Sequence, residues 1–390
     1  EGLSVSLMDF TTLKKIENPT TQIIFRNDKS THEKIKEYFL HTKITSEIYI
    51  KNSKTISKIY SFYKENITYY VYPIFFREYI KIIDNCDFVC IGGGNLLMTL
   101  NNNYWAIKIN RLIKIAKDKN KKVFIISVGA GPILSKKANK LFSDSLNMVD
   151  YITVRDENSK KLLEDMLKVK QKVVVSGDPA LLLKNIRKMK PIQEKINVAI
   201  SVIPFGKRDF FNLNWYKDNN YYLNMYEKLI TYFYERNPNF IFHLFSSAYS
   251  DYESIQQLEK YIKEKNEKIT EENMKIVYVK SVKDLLEFYQ NQNLLIGTRM
   301  HSLIIAFTQY IPVIAISWQD KVTGFMNYAN LSQYCYNLND VSDQLAQIYS
   351  DAEKLIHENQ EDKEKLHEIR QKFTQITSNV LNNLNRETSA

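Results

Sequence analysis

Short apolar runs alternate with amphipathic segments along most of this chain, and this alternation constrains the fold more than any other feature. In the first half, the runs "DFVCIGGG", "KVFIISVGAG", "YITVRD" and "KVVVSGDPA" are separated by helical patterns near residues 104–117, 136–147 and 157–167. Strands that alternate with helices of about 10 to 15 residues are typical of βαβ units in a parallel sheet. The sequence therefore predicts an α/β fold, and "SVSLMDF" near its start has the pattern of a further strand.

The alternation breaks at "LLLKNIRKMKPIQE" and then begins again, with helical patterns near residues 221–234, 251–265 and 282–289 and from His301. A chain of 390 residues is too long for one ordinary core, since a domain takes roughly 150 residues. We predict two Rossmann-like domains whose parallel sheets face a cleft. The predicted ranges are 1–185 for the first domain, 186–340 for the second, and 341–390 for C-terminal helices that pack across both.

Composition narrows the class of protein. Hydrophobic residues make up 44% and charged residues 25% of the chain, which is typical of a globular protein. No apolar run approaches the roughly 18 residues that span a bilayer, and no secretory leader is present, so we expect a cytoplasmic protein, with peripheral contact at the inner face of the membrane left open. The net charge of +10 is spread along the chain and does not indicate nucleic acid. The spacing of the three cysteines matches no zinc site, and we predict no metal.

Glycines cluster directly after the predicted strands. The turn "IGGGN" contains Gly92, Gly93, Gly94 and Asn95, and "SVGAGP" contains Gly131. Glycine permits positive φ and lets backbone N–H groups approach a ligand, although tight turns between strands and helices require glycine in any case. Neither turn matches the dinucleotide fingerprint or the P-loop, which disfavours a nicotinamide cofactor and a P-loop nucleotide. Together they favour a ligand cleft at the carboxyl ends of the strands.

The segment "LLIGTRMHSLIIAF" carries the strongest functional signal. Here an apolar strand turns directly into an apolar helix, so the first N–H groups of that helix, near Arg299 to Ser302, are predicted to point into the cleft. Arg299 adds a planar fork for a carboxylate or phosphate, and His301 adds a group that exchanges protons near neutral pH. We predict an anion site with a proton donor, in which Thr298, Met300 and Ser302 also contact substrate. The alternative is that these residues simply begin a helix.

Three further residues are weaker candidates, each with a structural alternative. Arg155 in "TVRDENS" can bind an anion or pair with Asp156, which is also placed to cap the next helix. Asp178 in "SGDPA" can act as a catalytic carboxylate or form a turn. Lys321 in "SWQDKVTGFM" can enter the cleft from a neighbouring loop or remain an exposed surface lysine.

Taken in order, the motifs from "DFVCIGGGNLL" to "IPVIAISWQDKVTGFM" resemble the polysaccharide pyruvyl transferases over roughly residues 87–326. The resemblance implies a fold of the glycosyltransferase-B type. It also implies transfer of pyruvate from phosphoenolpyruvate to sugar hydroxyls, as a ketal, during cell-surface or exopolysaccharide biosynthesis. Arg299 and His301 match the donor-binding segment of the family, and Arg155, the GGG turn and Lys321 match positions that line the same cleft. Members usually begin with a strand and a Gly-Asn-x-Gly-Asp turn, so the first βα unit is expected to be missing here.

The predicted reaction takes phosphoenolpyruvate as co-substrate, with no other cofactor, and a glycan or lipid-linked saccharide as acceptor. His301 is the candidate for the acid or base and Asp178 is a weaker candidate for the other role. Two alternatives remain open at this stage. A nucleotide-sugar glycosyltransferase can use the same fold, since fold does not fix function. A non-catalytic protein that binds polyanions would exploit the positive charge, although the basic residues are not interleaved with aromatic residues in one patch.

Overall fold

The computed structural model of the protein describes residues 5–8, 21–24, 79–99, 103–187, 194–203, 219–247, 251–357 and 361–388. The chain divides into two compact units, Glu1–Asp178 and Pro179–Ala390. Each unit is built on a parallel six-stranded sheet. The prediction of two Rossmann-like α/β domains is therefore confirmed. Within the described residues, no helix is both long enough and apolar enough to cross a membrane.

The first unit contains one main sheet and one small sheet. Its strands are β1 (Val5–Met8), β2 (Thr21–Ile24), β3 (Phe88–Gly92), β4 (Leu97–Thr99), β5 (Lys122–Val128), β6 (Ala130–Ile133), β7 (Tyr151–Val154) and β8 (Val173–Val175). The main sheet has the order β1-β2-β3-β5-β7-β8, and β4 pairs with β6. All of these pairs are parallel, so the carboxyl ends of the main strands lie along one edge.

The described helices of the first unit follow the strands as the sequence predicted. They are α1 (Tyr104–Asp118), α2 (Lys136–Leu146) and α3 (Glu157–Lys161), which continues into a π-helical turn at Leu162–Met166. Ser135 caps α2 by accepting a hydrogen bond from the N–H of Ala138. The sequence predicted one continuous helix over 157–167. In the structure its second half is a π-helical turn, in which Leu167 N–H bonds to the carbonyl five residues earlier.

The strand order of the second unit reverses at its centre. Its strands are β9 (Ile196–Ser201), β10 (Phe240–Phe245), β11 (Met274–Ile276), β12 (Leu294–Gly297), β13 (Val313–Ser317) and β14 (Cys335–Asn337). The order is β11-β10-β9-β12-β13-β14, so the chain builds outward from β9 in one direction and then in the other. In parallel α/β sheets, ligands bind outside the carboxyl ends of the strands at such a switch point. This predicts a site between the ends of β9 and β12.

Helices cover this sheet and complete the second unit. They are α4 (Asn219–Arg236), α5 (Tyr252–Lys265), α6 (Val282–Tyr289), α7 (Met300–Thr308), α8 (Asp320–Tyr328), α9 (Leu345–His357) and α10 (Glu361–Thr388). Every residue of β12 and β13 is buried, which is typical of strands with helices on both faces. Ile348 of α9 and Leu366 of α10 lie in the hydrophobic core of this unit. The C-terminal helices are therefore part of the second unit, where the sequence predicted a separate segment.

The boundary between the units lies after Asp178, before the predicted boundary at residues 185 and 186. The segment that follows is attached to the second unit by hydrogen bonds. Arg370 of α10 donates to the carbonyl of Leu181 at 3.0 Å, and Arg187 donates to the carbonyl of Tyr310 at 3.0 Å. Gln309 accepts from the N–H of Ile186 at 2.9 Å. The apolar and basic pattern of this segment resembled a linker because these partners are more than 100 residues away in sequence.

Candidate functional site

In the first unit, the two glycine-rich turns lie against each other at the carboxyl edge of the sheet. Gly93 and Gly94 follow β3 with φ of +83° and +63°, a region that favours glycine. The N–H of Gly129, which follows β5, donates to the carbonyl of Gly94 at 2.9 Å. Asn95 donates from Nδ2 to the carbonyl of Gly131 at 2.7 Å. The structure thus brings together the predicted residues Gly92 to Asn95 and Gly131.

Close packing explains two of these glycines. A Cβ atom at Gly92 would lie 2.9 Å from the carbonyl oxygen of Ile126 on the neighbouring strand. A Cβ atom at Gly129 would lie 2.4 Å from both Nη2 of Arg155 and Oδ1 of Asn95. Gly129 was not among the predicted site residues, although its position in "SVGAGP" signals a turn after a strand. It is required because the side chains of Arg155 and Asn95 pass directly over its backbone.

Arg155 directly follows β7, and only 5% of its side chain is exposed. Its Nε donates to Oδ2 of Asp156 at 3.1 Å, while Oδ1 of Asp156 accepts from the N–H of Ser159 at 2.7 Å and caps α3. The pairing that the sequence left open therefore forms. Among the described residues, no hydrogen bond reaches the terminal nitrogens of this guanidinium. Oδ1 of Asn95, which lies against the same face of Gly129, is buried and has no hydrogen-bond partner in the described part of the chain.

Asp178 follows β8, the strand that pairs with β7. It is buried, and the preceding Gly177 has a φ of +88°, which fits the turn that the sequence offered as the alternative. Nearby, Ser127 and Ser176 share a buried hydrogen bond of 2.8 Å between their Oγ atoms. Asp178 belongs to the first unit and His301 to the second, and a catalytic role for Asp178 stays a prediction.

In the second unit, hydroxyl groups join the ends of β9, β10 and β12. The hydroxyl of Thr298 donates to the carbonyl of Ser201 at 2.7 Å, and Oγ of Ser201 donates to Oγ of Ser302 at 3.1 Å. Ser302 in turn lies 3.5 Å from Oγ of Ser247, after β10. Thr298, Ser302 and the predicted site residue Met300 are all buried. Their contact with substrate stays a prediction.

Arg299 is held by an aspartate that the sequence analysis did not identify. Its Nη2 donates to Oδ2 of Asp251, and the same oxygen accepts from Oγ of Ser246 at 2.5 Å. Asp251 is completely buried, whereas 29% of the Arg299 side chain is exposed. Asp251 and Arg299 are 48 residues apart, and no local pattern in the sequence links them. The sheet brings them together because β10 and β12 flank β9.

The amino end of α7 faces the same edge of the sheet. Arg299 is its N-cap, with no hydrogen bond from the capping side chain, and the first intrahelical bond runs from Leu303 N–H to the Arg299 carbonyl. The N–H groups of residues before Leu303 lie outside that ladder, which is the arrangement that binds anions at helix amino ends. His301 is exposed in this first turn. Backbone N–H groups that can bind an anion, a guanidinium and an imidazole thus lie within three residues of each other.

Trp318, after β13, connects this turn to Lys321. Its indole N–H donates to the carbonyl of Thr298 at 2.8 Å, directly before Arg299. The Nζ atom of Lys321, in the first turn of α8, lies 5.3 Å from the centre of the Trp318 ring, within the range of a cation–π contact. Lys321 is half-buried and does not extend freely into solvent. The structure therefore places it next to the Arg299 turn, through one tryptophan that the sequence analysis did not single out.

Burial controls the other perturbed groups of the second unit. His243 lies buried in the middle of β10, and its Nδ1 is 3.1 Å from Oε1 of Gln292. Burial is the largest cause that lowers the pKa of His243 to about 4; the hydrogen bond that its Nδ1 donates to Oε1 of Gln292 raises this pKa, and the charge of Lys275 on the neighbouring strand lowers it. This histidine is therefore neutral near pH 7 and has a structural role.

Several solved structures match the chain at low identity. A mutant of TarM from S. aureus, in complex with fondaparinux, α-GlcNAc-glycerol and UDP, matches with a TM-score of 0.48 and 14% identity, over 77% of this chain and 57% of that chain. A glycosyltransferase from Rickettsia africae ESF-5 matches with a TM-score of 0.45 and 12% identity, over 76% and 88%. An α,α-trehalose 6-phosphate synthase from Burkholderia multivorans matches with a TM-score of 0.45 and 10% identity, over 78% and 72%.

Comparison with curated proteins gives no match. The family model of the polysaccharide pyruvyl transferases matches residues 15–320, which is well over half of the chain. The match includes the glycine turns, Arg155, Asp178, the Arg299 turn and α7, and it ends at Asp320, directly before Lys321. The chain therefore belongs to the polysaccharide pyruvyl transferase family.

Proposed function

We propose that this protein transfers the pyruvyl group of phosphoenolpyruvate to two hydroxyls of a sugar in a cell-surface glycan or its lipid-linked precursor. One observation carries the proposal: Arg299 and His301 stand together at the amino end of α7, next to the switch point of the second sheet. Phosphoenolpyruvate carries a carboxylate and a phosphate, and such a ligand is bound by a guanidinium fork and by backbone N–H groups at a helix start.

The proposed chemistry needs one proton donor and one proton acceptor. Protonation of the methylene carbon of phosphoenolpyruvate converts it to a methyl group and leaves a cationic carbon. A sugar hydroxyl attacks this carbon and loses its proton, the bond to phosphate breaks, and a second hydroxyl closes the ketal with loss of another proton. One of the two hydroxyl protons replaces the proton given to carbon and the other leaves on the phosphate, so the products are the ketal and inorganic phosphate and no oxidant or reductant is needed.

His301 is the group that we propose to exchange a proton in this sequence. It is exposed, and it lies in the first turn of α7, two residues after the guanidinium that would hold the donor. A positioned imidazole can give and take a proton near neutral pH. Asp178 is proposed for the second proton transfer, on the weaker ground that it is a buried carboxylate at the carboxyl edge of the first sheet.

Arg155 and Lys321 are proposed to bind substrate anions. The Arg155 guanidinium uses Nε for Asp156, which leaves its two terminal nitrogens to form a fork for a carboxylate or phosphate. Gly129 leaves room for that fork, because a Cβ atom there would collide with Nη2. Lys321 is held near the Arg299 turn by the ring of Trp318, and its ammonium group can neutralise phosphate charge as the phosphate leaves.

Direct titration of the protein with phosphoenolpyruvate in a calorimeter tests the donor. Arg299→Ala is expected to weaken binding by about 1.5 to 3 kcal/mol, as for a hydrogen bond to a charged group. Unchanged affinity would remove Arg299 from the site. In a parallel thermal-shift series, stabilisation by uridine or guanosine diphosphate with none by phosphoenolpyruvate would replace the proposal with a nucleotide-sugar glycosyltransferase.

Phosphate release in the presence of a saccharide acceptor tests the proton transfer. His301→Gln keeps a hydrogen-bonding side chain but cannot exchange a proton in the same pH range, so turnover is expected to fall by about 10² to 10⁴ while donor affinity is largely kept. His357→Gln is the matched control, since His357 is also exposed and lies at the far end of α9. Loss of affinity with unchanged turnover at saturating donor would make His301 a binding residue only.

A further inference from the structure

Asp251 stands at the start of α5 but does not cap it. Aspartate is among the best N-cap residues because its carboxylate accepts hydrogen bonds from the first N–H groups of a helix. Asp251 directly precedes α5, but its backbone is already helical, with φ of −90° and ψ of −16°, and its side chain makes no such hydrogen bond. Ser281 at the start of α6, in the same unit, does accept from the N–H of Asp284 at 3.1 Å. The carboxylate of Asp251 is therefore used for something other than its ordinary local role.

The carboxylate is directed to the candidate donor site. Its Oδ2 accepts from Nη2 of Arg299 and from Oγ of Ser246, which ends β10. Asp251 is completely buried, and a buried carboxylate is strongly unfavourable unless it is paired and hydrogen-bonded. Oδ2 of Asp251 thus accepts two hydrogen bonds, from residues near the ends of two different strands. Arg299 is fixed at one terminal nitrogen and its Nε is buried, while 29% of the side chain as a whole is exposed.

We propose that Asp251 is a positioning residue for the donor anion, acting through Arg299. The proposal rests on the proposed function, because it assigns the same guanidinium to phosphoenolpyruvate. With Nη2 held, the guanidinium plane has a fixed orientation and presents its remaining N–H groups at the amino end of α7. A long arginine side chain without this anchor would sample many rotamers, and misplacement by about 1 Å can cost about 10²-fold in rate.

The pair also sets how the site uses charge. Asp251 cancels the charge of Arg299, so the guanidinium acts mainly through directed hydrogen bonds. Asp251→Asn removes the negative charge, reduces the anchor to a neutral and weaker hydrogen bond, and leaves the arginine with a full positive charge. We expect donor affinity at low salt to be kept or improved and to become more sensitive to salt, since an exposed charge is screened. Turnover at saturating donor is expected to fall by about 10²-fold because the orientation is lost.

Kinetics of phosphate release with phosphoenolpyruvate test whether donor affinity is kept while turnover falls. The variants are Asp251→Asn, Asp251→Glu, and Ser281→Ala as a control that removes a helix cap in the same unit. Asp251→Glu is expected to recover part of the turnover, while Ser281→Ala lowers the melting temperature and leaves turnover unchanged. If Asp251→Asn lowers the melting temperature as Ser281→Ala does and turns over at the parent rate, Asp251 is only structural and the proposal is overturned.

A double-mutant cycle shows whether the effect passes through Arg299. In an Arg299→Lys background, Asp251→Asn is expected to cause little further loss of turnover, since the residue it positions is already gone. Equal losses in both backgrounds would mean that Asp251 acts independently, against the proposal. If the parent protein itself releases no phosphate from phosphoenolpyruvate, the proposed function fails. The crystal structure of Asp251→Asn then decides the remaining point: a displaced Arg299 side chain supports positioning, and an unmoved one overturns it.

Discussion

Each unit of this protein places an arginine within two residues of the end of a strand and pairs it with a buried aspartate, but the two pairs are built in different ways. In the first unit the partners are neighbours, Arg155 and Asp156, and the aspartate also caps the following helix. In the second unit Arg299 is paired with Asp251, 48 residues earlier, and the side chain of that aspartate does not cap α5, the helix it precedes. One pair is a product of local sequence and the other is a product of the sheet.

The two pairs also differ in how much of their side chains is exposed. Both partners of the first pair are nearly inaccessible, with 5% and 6% of their side chains exposed. In the second pair the aspartate is fully buried but 29% of the arginine side chain is exposed. The first pair therefore has little freedom to reach water if it is broken, whereas Arg299 can relax toward solvent. The pair in the first unit should matter more for stability, and the pair in the second unit more for function.

The largest expected effect comes from breaking the two pairs by the same substitution. Asp156→Asn keeps a good N-cap residue but leaves the Arg155 charge buried and unpaired, which typically costs about 3 to 5 kcal/mol. Asp251→Asn is expected to cost less, roughly 1 to 3 kcal/mol, because Arg299 is partly exposed. Amide hydrogen exchange, followed in each unit separately, measures both losses. Equal losses in the two units would contradict the distinction drawn between the pairs.

Acid is expected to weaken the second unit through His243. The unfolded histidine binds a proton near pH 6.5, while burial lowers the folded pKa to about 4. Between these values the unfolded state binds more protons, so stability falls as the pH drops from about 6.5 toward 4, by up to about 3 kcal/mol. His243→Gln should remove this part of the pH dependence. Hydrogen exchange at pH 7 and pH 5 measures it, and an unchanged slope in the variant would exclude His243 as the cause.

Replacing one glycine of each unit with alanine is also expected to affect the two units differently. In Gly129→Ala the new Cβ would lie 2.4 Å from Nη2 of Arg155 and from Oδ1 of Asn95, so these side chains must move, at a cost of about 1 to 3 kcal/mol. In Gly297→Ala the nearest atom is Cδ2 of Leu303, at 3.3 Å, and a small adjustment is enough. Donor binding and melting temperature are the measurements. A larger loss from Gly297→Ala would show that the fork of Arg155 is not tightly packed.

The smallest expected effect concerns the support of the Arg299 turn by Trp318. Trp318→Phe keeps an aromatic ring beside Lys321 but removes the N–H that donates to the carbonyl of Thr298 at 2.8 Å. A hydrogen bond of this kind contributes about 1 kcal/mol, so we expect a loss of that size in the second unit and none in the first. Hydrogen exchange near Thr298 reports it. Trp318→Leu, which also removes the ring, should lower the affinity for phosphoenolpyruvate further through Lys321.

Most of the fold could be predicted because its signals are local. The helical pattern predicted near residues 104–117 is observed as Tyr104–Asp118, and the pattern over 282–289 as Val282–Tyr289. The short strands β4 and β6 were not predicted, since each has few residues and pairs only with the other. The unit boundary also differed from the prediction, because Arg370 and Arg187 attach the segment after Asp178 to partners far away in sequence.

The candidate site could be predicted only in its local parts. Arg155, Arg299, His301 and the glycine turns follow strands directly, so their place at the carboxyl edge of a sheet follows from the alternation alone. The sequence did not predict that Thr298, Met300 and Ser302 would have buried side chains. Burial of a helix start depends on what packs against it, and here residues from neighbouring strands, such as Ser201, provide those contacts.

By itself, the sequence determined most of the elements and the family, and it offered one of the two arginine pairs as an alternative, because periodicity, turn residues and adjacent partners act within a few residues of each other. Only the tertiary structure decided that Asp251 gives up its helix cap to hold Arg299, and that Trp318 joins the Arg299 turn to Lys321. These contacts depend on the strand order, with β9 between β10 and β12 and with β13 beside β12. That order is fixed by the packing of the whole sheet, and no short stretch of sequence records it.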